Sequence, residues 1–85
     1  MEIKNSLIQN NLLMISDLSL STTLSLYFVI KEVVRNNPRT VLFVFDKTSE
    51  LDDFVDKYWK GEILVEPQTF TNQLKKIKTR IYSNA

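Results

Sequence analysis

Near the end of the chain four cations fall within six residues: Lys75, Lys76, Lys78 and Arg80 in Lys75-Lys76-Ile77-Lys78-Thr79-Arg80. Set along a helix, such a run can face phosphates in a weak, salt-sensitive contact. Lys31, Arg35 and Arg39, around a candidate hairpin, are the cations that would extend that surface. Tyr27, Tyr58, Trp59 and Tyr82 are the rings that would stack on unpaired bases if exposed. The competing readings are a solvated helix face for the cations and a core role for Tyr58 and Trp59.

The acids gather elsewhere. Glu50, Asp52, Asp53 and Asp56 form a group that offers oxygen ligands to a divalent cation, but the spacing is not that of a calcium loop. Three of them also sit where helix starts are routinely acidic, because negative charge complements the dipole there. Paired carboxylates for acid–base work need a cleft that raises their pKa values, which a surface helix does not supply. The chain has no histidine and no cysteine, so the commonest general base, the commonest zinc ligand, thiolates and disulfides are all excluded. Serine and threonine are plentiful but have no recognisable activating partner. Gly61 is the only glycine, so a glycine-rich phosphate loop is excluded in its usual form. The expectation is a non-catalytic protein without a metal or other cofactor.

The elements that must position these residues centre on Tyr27 to Trp59. Val41-Leu42-Phe43-Val44-Phe45 is an unbroken apolar run, which predicts a strand buried on both faces. Phe28 to Arg35 is rich in β-branched residues, and Asn36-Asn37-Pro38-Arg39 reads as a turn, so the two runs make an antiparallel hairpin. Two registers are open for the first strand. Either Phe28, Ile30 and Val34 face inward, or Val29 and Val33 do, with Lys31 and Arg35 flanking them. Ser49 with Asp52 has capping-box spacing, and Leu51, Phe54, Val55, Tyr58 and Trp59 form one helical stripe ended by Gly61. Pro67 suits the first position of a final helix whose stripe is Phe70, Leu74, Ile77 and Ile81. Lys75, Lys76 and Thr79 lie opposite that stripe, with Lys78 and Arg80 on its flanks. Upstream, Leu12 to Ile15 reads as a short strand. Asp17 caps a helix over about Leu18 to Leu26, although the Ser and Thr residues there are poor helix formers. Glu62 to Glu66 is extended, an edge-strand candidate.

The fold class expected is α+β: a small antiparallel sheet built on a central hairpin (about 28–45), packed by two to three helices. With 85 residues the chain is a single domain, 1–85, in which 1–10 is a docking arm or an edge strand. A domain of this size buries only roughly 60–65% of its unfolded surface, so its stability margin is thin. Eleven basic and ten acidic residues leave a net charge of +1, which gives no global argument for nucleic acid or an anionic membrane. No apolar run approaches the roughly 20 residues that span a bilayer. The N-terminus lacks the features of a signal peptide. The expected location is the cytoplasm of a bacterial host or a virion.

From about Leu12 to Tyr82 the order of features resembles a family of small uncharacterised proteins of phages and bacterial mobile elements. The resembling pieces are Asp17-Leu18-Ser19-Leu20-Ser21 with Leu24, Val41-Leu42-Phe43-Val44-Phe45-Asp46, Ser49-Glu50-Leu51 with Tyr58, and Val65-Glu66-Pro67 with Phe70, Lys75, Lys78 and Ile81-Tyr82. The family pattern has Ala where this chain has Ser21, and a Gly near the start of the following strand that is missing here. The resemblance carries no activity; it implies a phage or mobile-element setting.

Three roles follow as expectations. The first is a structural or assembly subunit acting through protein–protein contacts, as a homo-oligomer or part of a larger assembly, because the apolar stripes and central strand exceed what a small monomer hides. The alternative is a nucleic-acid-binding accessory protein using Lys75, Lys76, Lys78 and Arg80 with Lys31, Arg35 and Arg39. The third is an inhibitor of a host protein, with the acidic helix imitating a phosphate backbone.

Overall fold

The computed structural model describes residues 2–3, 6–9 and 11–83. It is an α+β fold in which strands β1 (Glu2–Ile3), β2 (Ser6–Gln9), β3 (Leu12–Ile15), β4 (Glu32–Asn37) and β5 (Thr40–Asp46) form one five-stranded antiparallel sheet in the order β1-β2-β3-β5-β4. Helices α1 (Leu18–Ser25), α2 (Ser49–Trp59) and α3 (Pro67–Ser83) complete it. The stretch 1–10, expected as an arm or edge strand, lies partly outside the described residues; its described parts are β1 and β2. Asn11 turns the chain between β2 and β3 at φ 62, a left-handed angle that asparagine tolerates better than most residues.

Register assigns the two faces of the sheet, because residues directly opposite in an antiparallel pair share a face. Phe43 lies opposite Ile15 and Val33, Phe45 opposite Leu13, and Val41 opposite Arg35. This face carries the core: Leu13, Ile15, Phe43 and Phe45 are buried together with Leu20 and Leu24 of α1, Leu51 and Val55 of α2, and Ile77 of α3. Each such side chain contributes about 1.5–3 kcal/mol relative to leaving it in water. The central strand is buried on both sides as its unbroken apolar run predicted, since Val44, pointing the other way, is also buried.

α1 forms despite its serines and threonines because the hydroxyls of Thr22, Thr23 and Ser25 bond carbonyls within the helix. Asp17 caps it, Oδ1 accepting from the Leu20 N–H at 2.9 Å. Thr22 and Thr23 donate to the carbonyls of Leu18 and Ser19 at 2.7 and 2.9 Å. Leu20, Ser21, Thr22, Thr23 and Leu24 are all buried, so neighbours enclose the helix over more than a full turn. α1 packs on β3, on α2 and on α3.

Four local expectations are corrected. The hairpin's first strand begins at Glu32, not Phe28. The amides of Tyr27 and Phe28 still bond the Leu24 carbonyl as α1 ends, so the chain cannot pair until it has crossed to the sheet. Phe28 and Ile30 reach the core from this irregular crossing, and Val33 faces the core from β4 itself, so neither simple register holds. The α2 cap is Thr48, not Ser49: Thr48 is extended and its Oγ1 accepts from the Leu51 N–H at 3.1 Å. Residues 62–66 are extended but pair with no strand among the described residues.

The helix ends follow their expected chemistry. Gly61, at φ 75, stops α2; its N–H bonds the Tyr58 carbonyl and that of Glu62 bonds Lys57, each at 3.0 Å, the Schellman pattern. Pro67 opens α3, and Glu66 caps it by accepting from the N–H groups of Gln68 and Thr69, both at 2.9 Å.

Candidate functional surfaces

α3 carries Lys75, Lys76, Lys78 and Arg80 and no acid from Pro67 to Ser83. Helical geometry splits these cations into two stripes. Lys75, Lys78 and Tyr82 run along one side, and Lys76 and Arg80, one turn apart, along the other. All five are exposed. The C-terminal turn of α3 meets the tip of the β4–β5 hairpin: Arg35 Nη2 donates to the Ile81 carbonyl at 3.0 Å, across 46 residues of sequence. The charge also suits the negative end of the helix dipole. Arg35, Asn37, Pro38 and Tyr82 line a shallow depression there, with the Tyr82 ring 73% exposed. Arg39 sits in the adjoining turn, its N–H donating to Asn37 Oδ1 at 2.8 Å. Arg35 and the end of α3 therefore meet, with Arg39 in the turn next to them.

Lys31 does not join them. It lies just before the opposite end of β4, about 13 Å of strand from Arg35, where its Nζ pairs with Asp46 at 3.1 Å. Of the other rings proposed for stacking, Tyr27 is exposed but lies 5.2 Å from Phe54, centroid to centroid. Tyr58 is half-buried and packs edge-on against Trp59. Burial, and secondarily the negative charge of Asp17, raises the Tyr58 phenol above its ordinary pKa.

The acidic group of α2 is dispersed. Lys47 Nζ pairs with Asp52 at 2.6 Å and Lys60 with Asp56 at 2.9 Å. Among the described residues no three acids gather closely enough to hold a metal ion.

Two surfaces escape a reading by sequence alone. The first is the sheet face turned away from the helices. Leu12, Met14, Val34, Leu42 and Val44 belong to it by register, opposite Asp46, Val44, Leu42, Val34 and Glu32 in their respective pairs. None of the five joins the helix-bearing cluster. An antiparallel sheet with one wet face normally alternates apolar-in and polar-out; here the outer positions are aliphatic too. Lys31, Glu32 and Asp46 stand exposed at its rim. The unbroken apolar run of β5 was the available signal. The second is a groove of about 390 Å³ lined by Ser19, Thr23, Tyr58, Ile63, Val65, Pro67, Phe70 and Thr71. These come from four separated stretches, so spacing along the chain could not reveal it.

No helix among the described residues is long and apolar enough to cross a membrane. Residues 10–83 match the family model described as a domain of unknown function, DUF5659. No curated protein and no solved structure matches the chain.

Proposed function

The chain belongs to the DUF5659 family, and we propose that it is a non-catalytic assembly subunit that associates with a second copy of itself through the open face of its sheet. The observation that carries this reading is the aliphatic set Leu12, Met14, Val34, Leu42 and Val44 on the sheet face turned away from the helix-bearing core of the described residues, where Val44 is buried and the other four are half-buried. Interfaces combine an apolar centre with a polar rim. Here Lys31 and Glu32 stand side by side at the rim with Asp46, so the rim carries both signs and two copies related by a two-fold axis can oppose unlike charges. A phage or mobile-element setting, implied by the sequence resemblance, agrees with such a role.

The test is molar mass in solution by light scattering. The wild-type chain gives a mass above the 10.0 kDa of one copy, and Leu42→Lys, which puts a charge in the apolar centre, returns it to one copy with the fold intact by circular dichroism. A wild-type mass of one copy at high concentration defeats the proposal.

A second reading has its own observation. The acid-free end of α3 meets Arg35 beside the exposed ring of Tyr82, with Arg39 in the adjoining turn, an arrangement that suits the backbone and bases of a single-stranded nucleic acid. It requires binding to a short oligonucleotide that weakens steeply with salt and is lost in Lys75→Gln/Lys78→Gln. Binding indifferent to salt or to these substitutions removes it.

A further inference from the structure

Between α2 and α3 the chain runs extended over residues 62–66, and no backbone hydrogen bond joins Ile63, Leu64 or Val65 to the described residues. Five extended residues span about 17 Å. Ile63 and Val65 are half-buried and line the groove of about 390 Å³, while Leu64 between them is 89% exposed. This is the alternation of a strand that lacks its neighbour. The remaining wall supplies the Tyr58 and Phe70 rings and the side chains of Ser19, Thr23 and Thr71.

The segment that borders this groove is flanked by acids. Glu62 and Glu66 bound the extended segment, and Asp17 lies close enough to raise the Tyr58 phenol. Glu66 is held ionised by the amides of Gln68 and Thr69 and by the Thr69 hydroxyl. On the α2 side Lys60 is engaged by Asp56 at 2.9 Å, and Lys57 is the remaining exposed cation.

We infer that residues 62–66 and the adjoining groove bind an extended peptide by strand addition, the peptide carrying apolar side chains that alternate with lysine or arginine. The unpaired amides and carbonyls of Ile63 to Val65 supply the ladder, as in other strand-addition sites. Alternate apolar side chains enter the groove beside Tyr58 and Phe70. The cations, on the other face of the added strand, meet Glu62 and Glu66. This site lies on different residues from the open sheet face and does not depend on it.

The probe is a capped heptapeptide of alternating lysine and valine, titrated into the full chain. Amide shifts in the protein are followed by NMR together with the fluorescence of Trp59, which packs edge-on against Tyr58 at 5.0 Å between centroids. The expected result is saturable shifts at residues 63–65 with a change in Trp59 emission. Glu62→Gln, at an exposed position outside the helices, weakens binding about 2–5-fold, the effect of one exposed ion pair. The discriminating comparison uses two versions of the peptide, N-methylated on odd or on even residues. A strand pairs through one edge, so one version binds and the other does not. Equal binding of both versions, equal binding of a glutamate–valine peptide, or no saturable shift at residues 63–65 overturns the inference.

Discussion

Replacing Ser21 by alanine should stabilise this domain, and replacing Ser25, one turn along the same helix, should destabilise it. The Ser21 side chain is fully buried, and its hydroxyl has no hydrogen-bond partner among the described residues. A hydroxyl desolvated without a partner costs roughly 1–3 kcal/mol. Alanine is also the better helix former by about 0.5 kcal/mol, and the void left by one oxygen is small. The net gain worked from these terms is about 1–2 kcal/mol, which for a domain of this size raises Tm by roughly 5–15 °C. Ser25 is placed differently. Its Oγ donates to the Thr22 carbonyl at 2.7 Å and accepts from Gln73 Nε2 at 2.9 Å. Ser25→Ala removes both bonds and strands the Gln73 amide against α1, for a net loss of about 1 kcal/mol after the propensity gain. Thermal melts and urea titrations of the two variants, with m-values compared to confirm the same surface is exposed, provide the assay. A Ser21→Ala protein no more stable than wild type refutes the reasoning, because the unpaired hydroxyl would then carry no cost.

Three further outcomes are expected. Glu66 has its carboxyl held below its ordinary range, first by the Gln68 amide, then by the Thr69 amide and hydroxyl. Its contribution is therefore present above the unfolded-state pKa and is lost as pH falls through the lowered folded value, so amide exchange at Gln68 and Thr69 should accelerate in acid, and exchange that ignores pH beyond its intrinsic dependence contradicts this cap. Arg35→Gln removes the donor to the Ile81 carbonyl and the charge at the helix end; a loss of about 0.5–1 kcal/mol is expected, read as faster exchange in the last turn of α3 with β5 unchanged. Thr48→Ala uncaps α2 and should cost about 1 kcal/mol in urea unfolding, whereas Ser49→Ala should leave stability within about 0.5 kcal/mol.

The parts of the fold that could be read in advance are those set by neighbours in the chain. Asp17 announces α1 even though the serines and threonines after it argue against a helix, because a cap is a local bond between a carboxylate and an amide three residues on. The stripe Leu51, Phe54, Val55 and Tyr58 and the stop at Gly61 are equally local, whereas Trp59, expected on the same stripe, is exposed at the helix end. The start of β4 was not legible: Phe28 to Val34 has one composition throughout, and its division into crossing and strand is decided by where α1 releases the Leu24 carbonyl. The open sheet face was hidden for a related reason. A run of five apolar residues does not say whether its second face meets helices, a partner or water. The meeting of Arg35 with Ile81 joins segments whose spacing carries no periodic signal. The extended segment at 62–66 looked like an edge strand by composition, and only the folded chain shows that it pairs with no strand among the described residues.

The enclosure of α1 bears on how the domain comes apart. Eight residues rich in serine and threonine are too few and too poorly suited to hold a helix in isolation. α1 therefore exists only while β3, α2 and α3 surround it, and each of them is joined to the others chiefly through it. Partial opening that releases one neighbour removes the support for the other two. The amides of Leu20 to Leu24 should consequently exchange with solvent only through global unfolding, at a rate that tracks denaturant with the full equilibrium m-value. The shortest and least helix-prone of the three helices is thus the element that makes the molecule unfold as one unit.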